Sequence, residues 1–513
     1  MKLFVLAIGG TGSRVLKAMI MQFAAGVMPK DPATGKPYKD LTVVPIIIDP
    51  HATNEAVQSA NTLLIRYRAI RNSLYGDAAT REGFFGVNIK SLKDVTTTAD
   101  NDVTYNISDT FIYDMPAIVS SNRFEDFIEL DSYSMPSACR MFSKMLFSQD
   151  ELNTRMSEGF YGSPNIGTIA LNVFGKSDSY KALAQQFTKG DRLFFIGSIF
   201  GGTGAAGLPM LVSAIRQDTQ HTAMSNAYMG ALIVMPYFTL QSVDESEIQG
   251  KDFMLKTQTA LKYYEDNLYP YLNATYYVAD ENPPAPFEND PGKNDQKSNK
   301  AHFVEFIGGL SIIDFLNQKS KGDGKDVKLD DSDRKVAESH VYRHFELKND
   351  ETEFGFKDLG KDVNTDIFIP MATFHFLYRF IMSGMFEDNL SMPFAKDRHI
   401  TANAVTDDMK RFFGAYIEWI IEMGSRGDSA HNFRPFNAPL SNKDYSSEIN
   451  GISVKTTTFG KKKFDVKDGP IAKMNKSVVH EKENAESGKL FVMANEAFEK
   501  SIRDTFDIND LFN

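Results

Sequence analysis

Two glycine-rich turns, Gly9-Gly10-Thr11-Gly12-Ser13 and Gly201-Gly202-Thr203-Gly204, are the segments of this chain best suited to chemistry. Glycine lets backbone N–H groups approach an anion without a side chain in the way, and a helix that starts at the turn adds the positive end of its dipole. Gly9, Gly10, Gly12, Gly201, Gly202 and Gly204 are thus candidate phosphate donors, and Thr11, Ser13 and Thr203 add hydroxyls. Asp49, in Ile48-Asp49-Pro50-His51, is placed to hold Mg²⁺ through water or to meet a ribose.

The surrounding pattern supplies what must position these residues. Leu3–Ile8 is a continuous apolar run before the first turn, and Val15, Leu16, Ala18, Met19 and Phe23 follow at helical spacing. Leu41–Ile48, Leu193–Ile199, Ala231–Met235 and Thr275–Ala279 read as further strands, with another apolar helix after the second turn. Strands alternating with helices predict an α/β fold: a Rossmann-like, mainly parallel sheet with helices on both faces. Ligands of such sheets gather at the carboxyl ends of the strands, where both turns fall. A helix is expected over 301–315, then a charged, flexible break over 319–335. Beyond it come an apolar block at 367–386, a helix near 412–423, a β-like segment at 452–464 and a last helix from about Leu490. The expected division is a nucleotide-binding domain over 1–300 with an insertion around 55–160, a central helix over 301–318, and an α+β domain over 319–513 with an acidic tail.

Other familiar motifs fail. The dinucleotide fingerprint needs a small residue where Val15 stands, and Gly175-Lys176-Ser177 lacks the first glycine of a Walker loop, having Ala170 there. His340 and His344 share a helix face at i, i+4, but no Glu follows His340 and no third ligand is evident, which leaves a solvated helix face. Cys139 has no His partner in sequence, and there is no G-x-S-x-G elbow.

Composition narrows the classes. The chain has 513 residues, a net charge of −11 and one cysteine. The acidic balance argues against general nucleic-acid binding, which rests on neutralising phosphates with Lys and Arg. No disulfide can form within the chain, no apolar run reaches membrane-spanning length, and the N-terminal run is too short for a secretory signal. A cytoplasmic protein without membrane insertion is expected.

The second turn carries a family resemblance. Asp191-Arg192-Leu-Phe-Phe-Ile-Gly-Ser-Ile-Phe-Gly201-Gly202-Thr203-Gly204-Ala-Ala-Gly-Leu-Pro209 resembles the tubulin/FtsZ signature, a strand ending in GGGTG[ST]G before a helix. Further matches follow in the family's order: Ala7–Gly12 as the first nucleotide loop, Ile48–Ala52 as the second, and Gly162-Ser163-Pro164-Asn165-Ile166-Gly167 as the N-P-E-x-G loop. Ala231–Phe238 is similar to the strand ending in a Pro-Phe turn, Tyr276–Glu281 to the strand that ends at the ribose, and Asn299–Phe315 to the central helix. The likeness covers about residues 1–320, with Phe200, Ala205 and Ala206 departing from the signature.

The resemblance implies GTP or GDP with Mg²⁺ as ligands. Pro164, Asn165, Asp280, Asn299 and Phe303 would join the turns around the nucleotide, with Asp280 at the ribose and Asn299 and Phe303 at the base. It also implies a GTPase that assembles head-to-tail into filaments, the nucleotide lying between subunits and Asp314 as the candidate catalytic acid. The alternatives are a switch that binds nucleotide and recruits partners without polymerising, and an NAD-dependent oxidoreductase, which Val15 and the second turn disfavour. The acidic-aromatic tail Asp504-Thr-Phe-Asp-Ile-Asn-Asp-Leu-Phe-Asn513 is a candidate docking site for a protein partner.

Overall fold

The structure, a computed structural model, describes residues 1–96, 105–115, 123–158, 160, 163–237, 250–280, 300–322, 324–345, 347, 351–360, 365–427, 430–477 and 485–511, with the backbone alone for 158 and 250–254. Its centre is a seven-stranded sheet in the order β3-β2-β1-β4-β5-β6-β9. The strands are β1 (Lys2–Ile8), β2 (Thr42–Ile48), β3 (Asn88–Ile89), β4 (Arg192–Ser198), β5 (Tyr228–Val234), β6 (Ala274–Val278) and β9 (Val341–His344). Every neighbouring pair among them is parallel. The expected α/β class is therefore found.

The apolar runs are long because these strands are buried on both faces. Leu3, Val5 and Ala7 of β1 point into one core, and Phe4, Leu6 and Ile8 into the other. On the first face lie α1 (Gly9–Ala24) and α2 (Glu55–Tyr75). The short helix α3 (Ser137–Leu146) lies off the sheet, with no buried residue. On the second face lie α4 (Pro164–Leu171), α5 (Asp178–Gln186), α6 (Gly202–Arg216) and α7 (Gly250–Asn267). The central helix α8 (Phe303–Asn317) returns to the first face beside α1.

Pro45 interrupts β2 at a strand position that would normally exclude it, yet causes no loss. Val43 accepts a bond from Lys90 N–H on the outer side of β2, and Ile47 exchanges bonds with Phe111 and Tyr113 on that same side. Side and bonding direction repeat every second residue, so the N–H that Pro45 lacks would have pointed into the gap between those partners.

Several expectations need correction. Residues 319–335 are not a flexible break: β7 (Val327–Leu329) pairs antiparallel with β8 (Lys335–Ala337), and Asp326 accepts bonds from Ser320, Lys321 N–H and Gly322 N–H. The sheet continues past this segment, since β9 pairs with β6. His340 consequently precedes β9 and His344 is its last residue, and they share no helix face.

The rest of the chain extends the first-face core. Helices α9 (Thr365–Met382), α10 (Asp407–Met423) and α11 (Glu486–Thr505) pack there, with short pairings of β10 (Glu353–Phe354) to β11 (Asn432–Phe433) and β12 (Thr456–Thr457) to β13 (Gly460–Lys461). Phe84 meets Phe374 and Phe491, and Phe306 of the central helix meets Trp419. The acidic tail is not presented as a free peptide. Phe506 and Leu511 are buried in the core, and Asp510 accepts the Ser453 N–H at 2.7 Å; residues 512 and 513 lie outside the described set.

Candidate functional site

β1 and β4 are neighbours, but α1 leaves β1 toward one face and α6 leaves β4 toward the other. This is a topological switch point, where the two helix starts diverge and open a crevice at the carboxyl ends of the strands. The two glycine turns meet there. Gly9 has φ +77°, a conformation that favours glycine, and a Cβ on it would lie 3.5 Å from Thr203 Cβ and 3.6 Å from the Gly204 nitrogen.

The glycines divide by role. A Cβ on Gly12 would lie 2.9 Å from both the Ala7 carbonyl carbon and the Ile196 oxygen, and one on Gly204 would lie 2.7 Å from the Ser198 nitrogen. These two let each helix start press against the strands. Gly10 and Gly201 are partly exposed, and a Cβ on Gly10 would meet nothing closer than Asn54 Oδ1 at 3.8 Å. With Thr11 and Gly202 they open the two helices, where the first backbone N–H groups have no partner within the helix. The hydroxyls are largely committed: Ser13 is buried and donates to the Gly9 carbonyl at 3.1 Å, while Thr11 bonds with Tyr237. Thr203 is buried in the first turn of α6.

Two more helix starts reach this end of the sheet. Asn54 caps α2 through the Ala56 N–H at 2.9 Å and stands beside Gly10. The sequence reading missed this residue, although Asn before a helical pattern is an N-cap signal. Pro164 opens α4, and Gly167 lets that helix lie against α6: a Cβ there would be 2.7 Å from Ala206 Cβ and 3.0 Å from the Gly202 oxygen. Asn165 is turned toward Glu151, at 3.5 Å.

Asp49 ends β2 with 5% of its surface exposed. Its Oδ1 accepts the His51 N–H at 2.9 Å, and burial pushes its carboxyl up to about 7 despite that bond. Among the described residues no cation pairs with it. A buried acid of this kind suits a divalent cation, yet no cluster of three or more His, Cys, Asp or Glu able to hold a metal occurs among the described residues. Any ion at Asp49 would therefore draw its other ligands from water or phosphate, which is the habit of Mg²⁺.

The base and ribose candidates are arranged differently. Asp280, beyond β6, has a fully buried carboxylate with His431 Nδ1 at 2.6 Å and His302 Nε2 at 2.9 Å. His302 Nδ1 accepts the Val304 N–H as the N-cap of α8, so its proton resides on Nε2, toward Asp280. Burial lowers the His302 pKa, with Asp280 opposing that shift. Phe303 is buried between His302, Phe354 and His431, the last two supplied by the later part of the chain. Asn299 lies outside the described residues.

Arg14 also escaped the sequence reading. It follows the first turn, but its guanidinium is used within the chain, on Glu305 Oε1 at 2.6 Å and on the Lys300 carbonyl. Arg426 donates to that same carbonyl at 2.6 Å. Asp314 is not gathered with the turns. It lies near the far end of α8, where Arg192 at the start of β4 donates to the Phe315 carbonyl, and its Oδ2 accepts Tyr276 Oη at 2.7 Å and Gln318 Nε2 at 2.9 Å.

No family model matches this chain, and no curated protein is significantly similar to it.

Proposed function

We propose that the chain binds a nucleoside phosphate in the crevice at the β1/β4 switch point, with Gly10, Thr11, Gly201 and Gly202 donating backbone N–H groups to the phosphates. The contact between the two glycine turns carries this reading, because it aims two helix dipoles of opposite sheet faces at one place. The resemblance to tubulin and FtsZ makes GTP and GDP the preferred ligands, with Mg²⁺ beside Asp49.

The same resemblance makes the chain a GTPase that self-associates head-to-tail in the cytoplasm. Support comes from the placement of Asp314: α8 is 15 residues long, about 22 Å, and carries Asp314 to the end of the sheet away from the turns. An acid so placed reaches a nucleotide only on another molecule, and a heterologous contact of that kind builds filaments. Phosphoanhydride hydrolysis would then need the neighbour's acid to orient water while backbone donors spread the developing charge.

One observation favours a second reading, a nucleotide-dependent switch with slow turnover: the Asp314 carboxylate is already engaged by Tyr276 and Gln318. An NAD-dependent oxidoreductase is the least supported, given Val15 and the second turn.

GTP turnover per molecule, measured across protein concentration with light scattering in parallel and ATP and NAD as controls, separates these. Turnover that rises above a threshold together with scattering is expected. Flat turnover with tight GTP binding favours the switch, and absence of GTP binding overturns the nucleotide reading.

A further inference from the structure

Asp314 lies where a helix gives a carboxylate least support. It is in the last turn of α8, so its charge faces the negative end of the helix dipole. The chain nevertheless fixes it there. Tyr276 of β6 donates its hydroxyl to Asp314 Oδ2 at 2.7 Å, and Gln318, four residues on, donates its amide to the same oxygen at 2.9 Å. Arg343 of β9 stands beside them, its Nε 3.8 Å from Oδ2. All three partners fall on one oxygen. Oδ1 accepts no hydrogen bond among the described residues, and the Asp314 side chain is 45% exposed.

The two donors have little else to do. Tyr276 is buried in the first-face core, its ring 5.8 Å from that of Phe194. A phenylalanine would fill that place equally well, and the hydroxyl's one hydrogen bond is to Asp314. Burial, and after it the Asp314 charge, raises the Tyr276 pKa, so the hydroxyl stays protonated and acts as a donor. Gln318 caps the end of α8 with its backbone N–H on the Phe315 carbonyl, which turns its side chain back to the carboxylate.

On the reading of the chain as a head-to-tail GTPase, on which this rests, we propose that Tyr276 and Gln318 are positioning residues for hydrolysis in trans. They anchor Asp314 through Oδ2 and leave Oδ1 to orient the water that attacks the GTP of the neighbouring molecule. The water oxygen forms a bond to the γ-phosphorus as the bond from that phosphorus to the β,γ-bridging oxygen breaks, and the electron pair leaves with GDP. One proton of the water stays on the released phosphate, and the other passes to Oδ1 and then to solvent. A carboxylate free to rotate at a helix end would have to be ordered at every turnover, whereas one anchored on a single oxygen is ordered beforehand. The bonds of Tyr276 and Gln318 thus prepare Asp314 for the reaction. A tie that served stability alone would have no use for an exposed second oxygen.

The test is GTP turnover of the full chain above its threshold concentration, with equilibrium GTP binding, light scattering and thermal unfolding in parallel. Tyr276→Phe and Gln318→Met are each expected to lower kcat about tenfold or more while KM, GTP binding and scattering stay nearly unchanged. In an Asp314→Asn background neither change is expected to lower turnover further, because each acts through the carboxylate. The proposal fails if either variant keeps the kcat of the unaltered chain, or if both lower it by the same factor in the Asp314→Asn background. It also fails if turnover falls only in step with scattering or with the folded fraction, the mark of a tie that merely holds the fold. Failure of the underlying reading shows in the unaltered chain instead: absent GTP binding, or turnover independent of protein concentration, overturns both.

Discussion

The hydroxyl of Tyr264 donates to the backbone carbonyl of Ala205 at 3.0 Å, in the buried interface between α7 and α6. That oxygen would otherwise be orphaned. Its helical partner would be the N–H of residue 209, and residue 209 is a proline. A side chain from another helix thus supplies the bond that the α6 backbone cannot make. Removing the hydroxyl in Tyr264→Phe leaves a buried carbonyl unsatisfied, at about 1–3 kcal/mol. Pro209→Ala returns a backbone donor, so Tyr264→Phe is expected to cost less in that background. Thermal unfolding of the two single variants and the double variant measures the coupling.

Arg216 is expected to be the costliest of the buried cations to replace. Its guanidinium is fully buried and donates to the carbonyls of Tyr271, Ser225 and Ala227 and to Asn273 Oδ1, tying the end of α6 to the segments that lead into β5 and β6. Burial lowers its pKa to about 9, with Asp326 opposing the shift. Arg216→Met removes these donors together, and a loss of several kcal/mol is expected from the stranded carbonyls. Arg216→Lys keeps the charge but not the planar fork, and is expected to recover only part of it. Soluble yield and unfolding temperature are the readouts.

Stability near Asp49 has a defined pH sign. Its folded pKa of about 7 is above the ordinary 3.8, so between those values the folded chain binds more protons than the unfolded one. Stability contributed by this group is therefore present below about pH 4 and is lost as pH rises to about 7. Asp49→Asn is expected to stabilise the ligand-free chain by up to a few kcal/mol at pH 8 and to change little at pH 4. Glu448, raised to about 7 by burial against the opposing Arg379, acts in the same direction, so a slope remains in the variant. Unfolding temperatures over pH 4–8 give the comparison.

The glycines separate folding from binding. Gly12→Ala and Gly204→Ala put a methyl within 3 Å of backbone atoms and are expected to destabilise by a few kcal/mol or to yield no folded protein. Gly10→Ala meets no atom nearer than 3.8 Å and is expected to fold with nearly unchanged stability. If a phosphate approaches the turn at Gly10, this variant weakens GTP binding about tenfold or more, a change in binding energy of about 1.4 kcal/mol. Equilibrium binding of GTP to Gly10→Ala and to the unaltered chain decides it.

Legibility from sequence followed burial. β1, β2, β4, β5 and β6 announced themselves because a strand covered on both faces is a continuous apolar run. β9 did not, since Val341-Tyr342-Arg343-His344 lies at the sheet edge and is mostly exposed; His344 with His340 before the strand then mimicked a helical period. The segment over 319–335 looked unstructured because its order comes from the Asp326 carboxylate gripping backbone N–H groups, which no hydropathy pattern reports. The glycine turns were legible because strand, glycine and helix are contiguous in the chain. Asp280 and Phe303 were legible as residues at the end of a strand and the start of a helix. Their engagement by His431 and Phe354 was not, because those partners come from far along the chain.

Asp280 also sets a timetable. As the polypeptide leaves the ribosome, β6 and Asp280 emerge long before His431, and β9 arrives only after the β7–β8 hairpin. Until then the β6 edge has no strand beside it, and the Asp280 carboxylate lacks one of the two imidazoles that hold it away from water. A nascent chain released before residue 302 would carry an open β6 edge and an Asp280 carboxylate with neither imidazole beside it. Synthesis past residue 431 completes this corner, and α11 is still to come for the core.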